Sequence, residues 1–375
     1  MQFENDKMKK KMMGIVAIVV AGYKFIKINI MKYTFFLLLF VLCTSCNHSD
    51  EIAIDAFDIV DNIVKYDSIF SDKSEPMGVI TGMEVYGNIL ITKHMLDEYQ
   101  FSFIDTDNGN LKSRWGRVGD APNEFIDFGS GFTISDSQLV FLCNAKKEIN
   151  YASLYDILQK NDTVNIKKES YPYTIDFRPV DLNILDGNKI TIGSFKEGRF
   201  GVLDSTNSII NSFGDYPFHY DEVNGVSRGM AFQSKIKSNT NLNKFVIVTL
   251  ASDIFEIYQL SDATISRTYV SPFNHIPMIC KKGRYYDVDY NKSIAGLMKM
   301  SVSKDYICFL YSSLSYNEVR KNEKKSDEIL CFNWNGEKVK KYILPFSINN
   351  FCLDNNCIYG VRTCNEEMII YRFKL

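Results

Sequence analysis

The sequence is poor in the groups on which most enzymes and nucleic-acid-binding proteins depend. The chain of 375 residues has only four histidines and a formal net charge of −2. Residues 1–45 hold seven lysines and two acidic residues, so the rest of the chain has a net charge of −7. Such a chain has no cationic excess to neutralise phosphates, which excludes nucleic acid as a partner. Hydrophobic residues at 46% and charged residues at 23% are typical of a globular protein and exclude a multi-span membrane protein.

Catalytic and metal-binding motifs are equally scarce. The chain contains no G-x-S-x-G elbow, no HExxH pair, no phosphate-cradling loop and no zinc-spaced cysteines. Seven cysteines follow Cys46, an odd number that cannot all pair within the chain. Most of them lie in apolar runs, which predicts buried thiols rather than a disulfide framework. A cross-strand bridge between Cys352 and Cys357 is the alternative left open.

Residues 31–46, MKYTFFLLLFVLCTSC, are typical of a secretory signal. A lysine precedes an apolar run about half as long as a membrane-spanning helix, and small residues precede Cys46. The pattern resembles a bacterial lipoprotein signal, which implies that Cys46 becomes the lipid-bearing first residue. We therefore expect 1–30 to be a gene-start extension, 31–45 a signal peptide and 46–52 a tether. An ordinary signal peptide that is cleaved nearby is the alternative.

The remaining chain, 53–375, is built from a repeat. An alternating strand, a tight turn with Asp, Asn or Gly and a second strand recur six times, which predicts hairpins. The first hairpins are 83–93, 132–143, 182–195, 236–250, 300–311 and 351–362. A second pair follows five of them, at 101–116, 152–166, 200–214, 255–270 and 329–344. The last unit stops after one further strand, 368–375.

Five four-stranded units and a three-stranded sixth predict an all-β fold, a six-bladed β-propeller with four-stranded antiparallel blades. The sixth blade needs one more strand, because the ring would otherwise end in exposed strand edges. Residues 52–70 precede the first blade and contain strand-like apolar runs. We therefore expect the ring to be closed by this N-terminal strand, as the outermost strand of blade six. An antiparallel sandwich is the structural alternative.

The repeat also predicts that the long loops share one face. In a propeller, the turns between strands one and two and between strands three and four open on one side, and here they are short. The remaining loops open on the other side, here called the long-loop face, and they are 117–130, 167–178, 215–229, 271–296 and 312–327. Long loops on a rigid scaffold are common binding sites.

The most specific local motif, WGRVGDAPNEF (115–125), lies in the first of these loops. Its residues match a G-x-x-G-x-x-P-x-E-F pattern at Gly116, Gly119, Pro122, Glu124 and Phe125. In this motif and in its repeats the chain resembles the TolB-like six-bladed propeller lipoproteins of Bacteroidetes. The resemblance covers nearly the whole mature chain and implies a propeller in the outer membrane, facing the periplasm or the cell surface. The chain departs from the family pattern at Asn123, where the family often has Gly. The resemblance implies no particular activity.

Aromatic, arginine and acidic side chains in the long loops suit stacking and hydrogen bonding, as sugars or peptides require. The alternative is that the rings pack the loops onto the blades. The candidate ligand-binding residues are Arg117, Glu124, Tyr173, Arg178, Tyr216, His219, Tyr220, His275, Arg284 and Tyr286. For Glu124 the structural alternative is pairing with Arg114 or Arg117, or capping of exposed backbone amides.

These observations predict a lipid-anchored envelope protein that acts as a non-catalytic binding or scaffold module. Its partner would be a glycan, a peptide or a protein on the long-loop face, with no cofactor and with membrane contact through the lipid anchor alone. The alternative is a calcium-dependent, lactonase-like hydrolase that holds its metal in the central channel. Candidate ligands for that metal, near the inner strands, are Glu84, Asp181, Asn183, Gln233 and Asn350.

Overall fold

Residues 54–375 are the part of the chain that the structure, a computed structural model, describes, apart from short gaps. The gaps are 74, 127–130, 161–163, 175–176, 219–222, 224, 262–263, 273–274, 284, 322–325, 355 and 365–366. The predicted extension, signal peptide and tether, and with them Cys46, lie outside the described residues. Within the described ranges, no helix combines the length and the apolar character that crossing a membrane would require.

Six antiparallel blades of four strands follow one another along the chain, as predicted. They are preceded by β1 (Val60–Asn62) and β2 (Tyr66–Ser71). Blade 1 contains β3 (Val79–Tyr86), β4 (Ile89–Met95), β5 (Tyr99–Asp105) and β6 (Leu111–Arg117). Blade 2 contains β7 (Phe132–Ser135), β8 (Gln138–Cys143), β9 (Glu148–Ser153), the helix α1 (Leu154–Leu158) and β10 (Ile166–Ser170). Blade 3 contains β11 (Phe177–Leu185), β12 (Asn188–Phe195), β13 (Phe200–Leu203) and β14 (Ile209–Phe213).

The second half of the ring carries most of the additional elements. The helix α2 (Gly225–Ala231) precedes blade 4, which contains β15 (Ser234–Asn239), β16 (Lys244–Thr249), β17 (Phe255–Ser261) and β18 (Thr264–Val270). A separate hairpin follows, formed by β19 (Ile279–Lys282) and β20 (Tyr285–Val288). Blade 5 contains β21 (Ile294–Val302), β22 (Tyr306–Ser315), the helix α3 (Tyr316–Lys321), β23 (Ser326–Asn333) and β24 (Lys338–Ile348). Blade 6 contains β25 (Asn350–Asp354), β26 (Cys357–Cys364) and β27 (Glu367–Lys374).

The N-terminal segment closes the ring, which confirms the prediction. β2 pairs antiparallel with β27 and becomes the fourth, outermost strand of blade 6. An ion pair supports this register, because Arg372 Nη2 lies 2.6 Å from Asp67 Oδ2. Arg372 Nη1 also donates to the Thr106 carbonyl oxygen, next to β5 of blade 1, at 3.0 Å. The sequence did not predict β1, which pairs in parallel with β24 as a fifth strand of blade 5. The segment therefore ties blade 5 to blade 6.

The hydrophobic core lies between the blades rather than at the centre of the ring. Each of the six interfaces between neighbouring blades holds a cluster of buried residues. In β16, Phe245 and Ile247 pack towards blade 3, whereas Val246 and Val248 pack towards blade 5. Successive side chains of a strand point to opposite faces, so a strand in the middle of a blade must be apolar at every position. This burial pattern leaves an open channel along the axis.

The tight turns adopt the backbone conformations that their residues favour. Asp186 and Gly187 connect β11 and β12 with φ angles of 47° and 73°, and the flanking Leu185 and Asn188 pair directly. Asp-Gly suits a two-residue hairpin turn because both central residues adopt positive φ. The turns on the face opposite the long-loop face are short except in blade 2, where α1 lies between β9 and β10. The predicted long loop 167–178 is correspondingly shorter, because β10 extends to Ser170.

One pair of cysteines contradicts the expectation of reduced thiols. Cys308 in β22 and Cys331 in β23 are direct cross-strand partners with a Cα–Cα distance of 4.2 Å, and they form a disulfide. Cys352 and Cys357 do not form the bridge left open by the sequence, because Cys352 pairs with Tyr359 across the β25–β26 hairpin and both thiols are free. Register, which cysteine spacing does not reveal, decides which thiols meet.

Candidate functional site

The motif loop after blade 1 is held by structural contacts. The Glu124 Oε2 atom accepts a hydrogen bond from the Ala121 amide at 3.1 Å, which is the capping contact that the sequence left open. Arg117 Nη2 lies 3.2 Å from Glu98 Oε1, and both side chains are exposed. The Lys146 Nζ atom donates to the carbonyl oxygens of residues 120, 121 and 124 at 3.1, 2.7 and 2.9 Å. Lys146 of blade 2 therefore holds this loop in place through hydrogen bonds. A ligand role for Arg117 and Glu124 stays a prediction.

Three further candidates, Tyr173, Arg178 and His275, line neither of the two cavities described below. Tyr173 is 40% exposed and lies beside Lys147, whose Nζ is 5.9 Å from the ring centroid. Arg178 is partly buried in β11. The exposed His275 places its Nδ1 atom 2.6 Å from Asp253 Oδ2, and its amide donates to Asp253 Oδ1 at 3.0 Å. Burial raises the pKa of Asp253, and the contacts with His275 oppose that rise. His275 thus anchors its connector to the loop before β17.

Two predicted residues, Tyr216 and Tyr286, do come together. They line a cavity of about 290 Å³ on the long-loop face between blades 3 and 4, here called the blade 3–4 pocket. Its walls are β12, α2 and the β19–β20 hairpin, which contributes Tyr285, Tyr286 and Asp287. A Cβ atom on Gly229 would lie 2.6 Å from the Gly193 carbonyl oxygen, so only glycine lets α2 approach β12 this closely. His219, Tyr220 and Arg284 lie outside the described residues.

The buried end of the pocket is formed by Arg199, which sequence reasoning missed. This side chain is 1% exposed, and its Nε atom lies 2.9 Å from Glu256 Oε2 in the neighbouring blade. Its Nη2 atom donates to Thr249 Oγ1 at 2.6 Å, while Nη1 has no hydrogen-bond partner among the residues that the structure describes. The guanidinium carbon lies 5.0 Å from the centroid of the Tyr216 ring. Its one sequence signal is an arginine directly before the apolar run of β13.

Glu256 binds two cations at once. Its Oε1 atom lies 3.0 Å from Arg267 Nη1 and accepts a hydrogen bond from the Tyr258 hydroxyl at 2.8 Å. Burial also raises the pKa of Tyr258, so this phenol stays a donor at neutral pH. The two guanidinium groups of Arg199 and Arg267 and the one carboxylate of Glu256 together carry a net charge of about +1. The pocket therefore combines aromatic surface with an unused cationic donor, a combination that suits a ligand with a ring and an acidic or hydroxyl group.

The central channel is a second cavity, of about 390 Å³, lined by residues of the innermost strands of all six blades. Lys237 in blade 4 reaches across the axis to form an ion pair with Glu84 in blade 1, and its Nζ also donates to the Phe132 carbonyl oxygen at 3.3 Å. Lys235 and Lys299 line the same cavity. Gln233 lines both the channel and the blade 3–4 pocket, so the two cavities adjoin.

The channel residues that the structure describes do not fit calcium. Glu84 is already paired with Lys237, and Asn183 Oδ1 accepts a hydrogen bond from Ser238. Asn350 donates to the Ile80 carbonyl oxygen at 3.4 Å. The described residues contain no group of three or more His, Cys, Asp or Glu side chains that could hold a metal. Calcium requires six to eight oxygen ligands, and the lysines in this channel repel a cation.

Comparison with known proteins gives a family and a fold. The family described as TolB-like 6-blade propeller-like matches residues 66–356. A protein of Bacteroides fragilis described as exported has a similar structure, with a TM-score of 0.53 and 14% identity over 84% of this chain and 99% of that one. A DUF4221 protein of Bacteroides vulgatus has a TM-score of 0.53 and 12% identity over 83% and 96%. No curated protein matches the chain. At these identities the structural likenesses show the fold alone.

Proposed function

The chain belongs to the TolB-like six-bladed propeller family, and we propose that it is an exported lipoprotein that binds an envelope glycan or peptide without catalysing a reaction. Its ligand site is the blade 3–4 pocket on the long-loop face. The observation that carries the proposal is that Tyr216, Tyr286 and Arg199 line one cavity, and that the Arg199 Nη1 atom has no hydrogen-bond partner within the described ranges. The sequence alone predicts two of these three residues, Tyr216 and Tyr286, as ligand contacts.

The pocket chemistry supports a ring-bearing ligand. A cavity of about 290 Å³ accommodates one sugar ring or one large side chain rather than an extended polymer. Tyr285, which is exposed, and Tyr286, which also packs against Val223, Ala231 and Phe232, contribute aromatic side chains to the lining from the β19–β20 hairpin. Arg199 Nη1 lies at the buried end, where a charge-assisted hydrogen bond to a carboxylate or a hydroxyl is strongest. The rest of the glycan or peptide would extend over the long-loop face.

Binding through this pocket predicts a selective loss in Tyr286→Ala. Residues 47–375 are screened by thermal unfolding against acidic and neutral oligosaccharides and peptides, because a ligand that binds only the folded state raises the midpoint. Removing an aromatic anchor costs about 1–2 kcal/mol of binding, so we expect an affinity about tenfold weaker by calorimetry. The matched control is Tyr155→Ala, since Tyr155 is 69% exposed on α1 on the opposite face.

Equal affinity in wild type and Tyr286→Ala would exclude the blade 3–4 pocket as the site. Each compound that binds is also incubated with the protein and examined by mass spectrometry. Turnover that is lost with Tyr286→Ala would replace the binding role with a catalytic one. If no compound in the panel raises the midpoint of thermal unfolding, the result would argue against a glycan or peptide ligand and favour the scaffold role.

Export is supported by two independent observations. The Cys308–Cys331 disulfide is of a kind that persists in oxidising compartments and is rare in the cytosol. One structural relative is described as exported.

For the lipid anchor we expect Cys46→Ala to move the protein from the membrane pellet to the soluble fraction of the envelope, because the acylated residue is lost. Cys364→Ala is the control, since this thiol is free and exposed, and retention of Cys46→Ala on membranes would refute anchoring through Cys46.

A further inference from the structure

The buried end of the blade 3–4 pocket holds more positive than negative charge. Arg199 and Arg267 share the single carboxylate of Glu256, at 2.9 and 3.0 Å. Arg228 in α2 adds a third guanidinium group, whose Nε atom donates to the Val223 carbonyl oxygen at 3.3 Å. No carboxylate of the described residues forms an ion pair with Arg228. Three guanidinium groups and one carboxylate give these four side chains a net charge of about +2.

The Tyr216 ring brings two of these cations to one place. The guanidinium carbon of Arg199 lies 5.0 Å from the ring centroid, and that of Arg228 lies 5.8 Å from it. The one carboxylate in the lining of the pocket, Asp287, lies 2.6 Å from the Lys282 Nζ atom and is already neutralised. Within the described part of the chain, the lining therefore supplies no free anion to balance the two guanidinium groups.

A carboxylate gains more at this end of the pocket than a hydroxyl group does. Arg199 lines the cavity and is 1% exposed, and its Nη1 atom has no hydrogen-bond partner within the described ranges. Hydrogen bonds between two charged groups are about twice as strong as those between neutral ones, and a buried site of low dielectric constant strengthens them further. A carboxylate also neutralises one of the surplus positive charges, which a hydroxyl group does not.

The rest of the lining suits a sugar ring better than a peptide. Ser194, Ser234 and Gln233 contribute hydroxyl and amide groups, which can hydrogen-bond to the several hydroxyls of one sugar. The wall strand β12 is paired on both sides, with β11 and β13, so it has no free edge to which a peptide strand could add. The volume of about 290 Å³ accommodates one sugar ring.

We propose that the blade 3–4 pocket recognises a uronic acid residue of a glycan, with the uronate carboxylate bound by Arg199 and attracted by the charge of Arg228. The sugar ring lies against Tyr286. This inference rests on the proposed function, because it names the ligand class of the same pocket. It makes Arg199 and Arg228 the residues that determine specificity for the acid, and Tyr286 the anchor for any ring.

The test measures binding to residues 47–375 by calorimetry at constant ionic strength. Sodium galacturonate and sodium glucuronate carry the carboxylate, galactose and glucose are their neutral counterparts, and N-acetyltyrosine carries a ring and a carboxylate without a sugar. We expect at least one uronate to bind at least about tenfold more tightly than its neutral counterpart. Raising sodium chloride from about 50 to about 500 mM should weaken binding of the uronate and not of the neutral sugar, because salt screens charges.

Two arginine variants test the assignment of the carboxylate. Arg228→Met should fold as wild type does, because this side chain is partly exposed, and we expect it to reduce the preference for the uronate about threefold. Arg199→Met leaves Glu256 with one cation and should abolish the preference, with circular dichroism to confirm that it is folded. The matched control is Arg362→Met in blade 6, whose guanidinium carbon lies 4.9 Å from the Phe346 ring. This control should keep the full preference.

Each outcome decides the proposal. Equal affinity for uronates and neutral sugars overturns it, as does a preference of unchanged size in the two arginine variants, and Arg228→Met decides alone if Arg199→Met does not fold. Binding of N-acetyltyrosine without binding of either uronate would assign the pocket to peptides. Tyr286→Ala should weaken charged and neutral ligands alike. Neutral sugars that bind in a Tyr286-dependent way, with no preference for uronates, would therefore refute this inference and leave the proposed function standing.

Discussion

A chain that begins at residue 73 should lose the cooperative unfolding transition that we expect of residues 47–375. The shorter chain lacks β1 and β2, so β27 becomes an unpaired edge of eight residues and blade 6 has three strands. It also loses Ile54 and Ile63, which are 3% and 6% exposed in the clusters beside blade 5. Burying each isoleucine contributes about 1.5–3 kcal/mol, and the total stability of a domain is only about 5–15 kcal/mol.

Circular dichroism during urea and thermal unfolding measures this effect, with size-exclusion chromatography to detect association through the open edge. A chain that begins at residue 64 is the informative intermediate, because it keeps β2 and loses β1. We expect it to retain a single transition at lower stability, and a peptide of residues 53–73 added to the shortest chain to restore part of the transition. A midpoint of residues 73–375 within about 3 °C of the full domain would mean that ring closure contributes little.

Replacing Glu256 by Gln will destabilise the domain by about 3–5 kcal/mol, because two guanidinium groups then lose their only shared carboxylate. Glu256 and Arg199 are almost fully buried, so water cannot replace the lost ion pair. Exposed pairs contribute less, and Glu98→Gln, which removes the surface partner of Arg117, should cost less than about 1 kcal/mol. Both changes keep the shape of the side chain, which makes them matched.

A double-mutant cycle separates the buried charge from the lost hydrogen bonds. Glu256→Gln combined with Arg199→Met removes the guanidinium that would otherwise be left uncompensated. We therefore expect the double mutant to be more stable than Glu256→Gln alone, as measured by urea unfolding. Additive losses would show that the two side chains act independently, in disagreement with the 2.9 Å contact between them.

The candidate site could be predicted only in part. The sequence placed Tyr216 and Tyr286 on the same face because a propeller sorts its loops, and the two residues meet in one pocket. It did not predict Arg199, since an arginine before a strand has no pattern that distinguishes a buried cation from an exposed one. Glu124 was ambiguous for a similar reason: a carboxylate in a glycine-containing loop can contact a ligand or cap an amide, and its hydrogen bond goes to Ala121.

The sequence by itself determined the number of blades, the strand pairs within them and the strand that closes the ring. These features depend on local periodicity and on turn residues such as Asp186-Gly187, which act over a few positions. Only the tertiary structure decided which distant charges meet: Arg199 with Glu256 across a blade interface, and Lys237 with Glu84 across the channel. Those contacts depend on the register and orientation of neighbouring blades. No periodicity along the chain encodes that geometry, because the interacting residues are far apart in sequence and each lies in an ordinary local pattern.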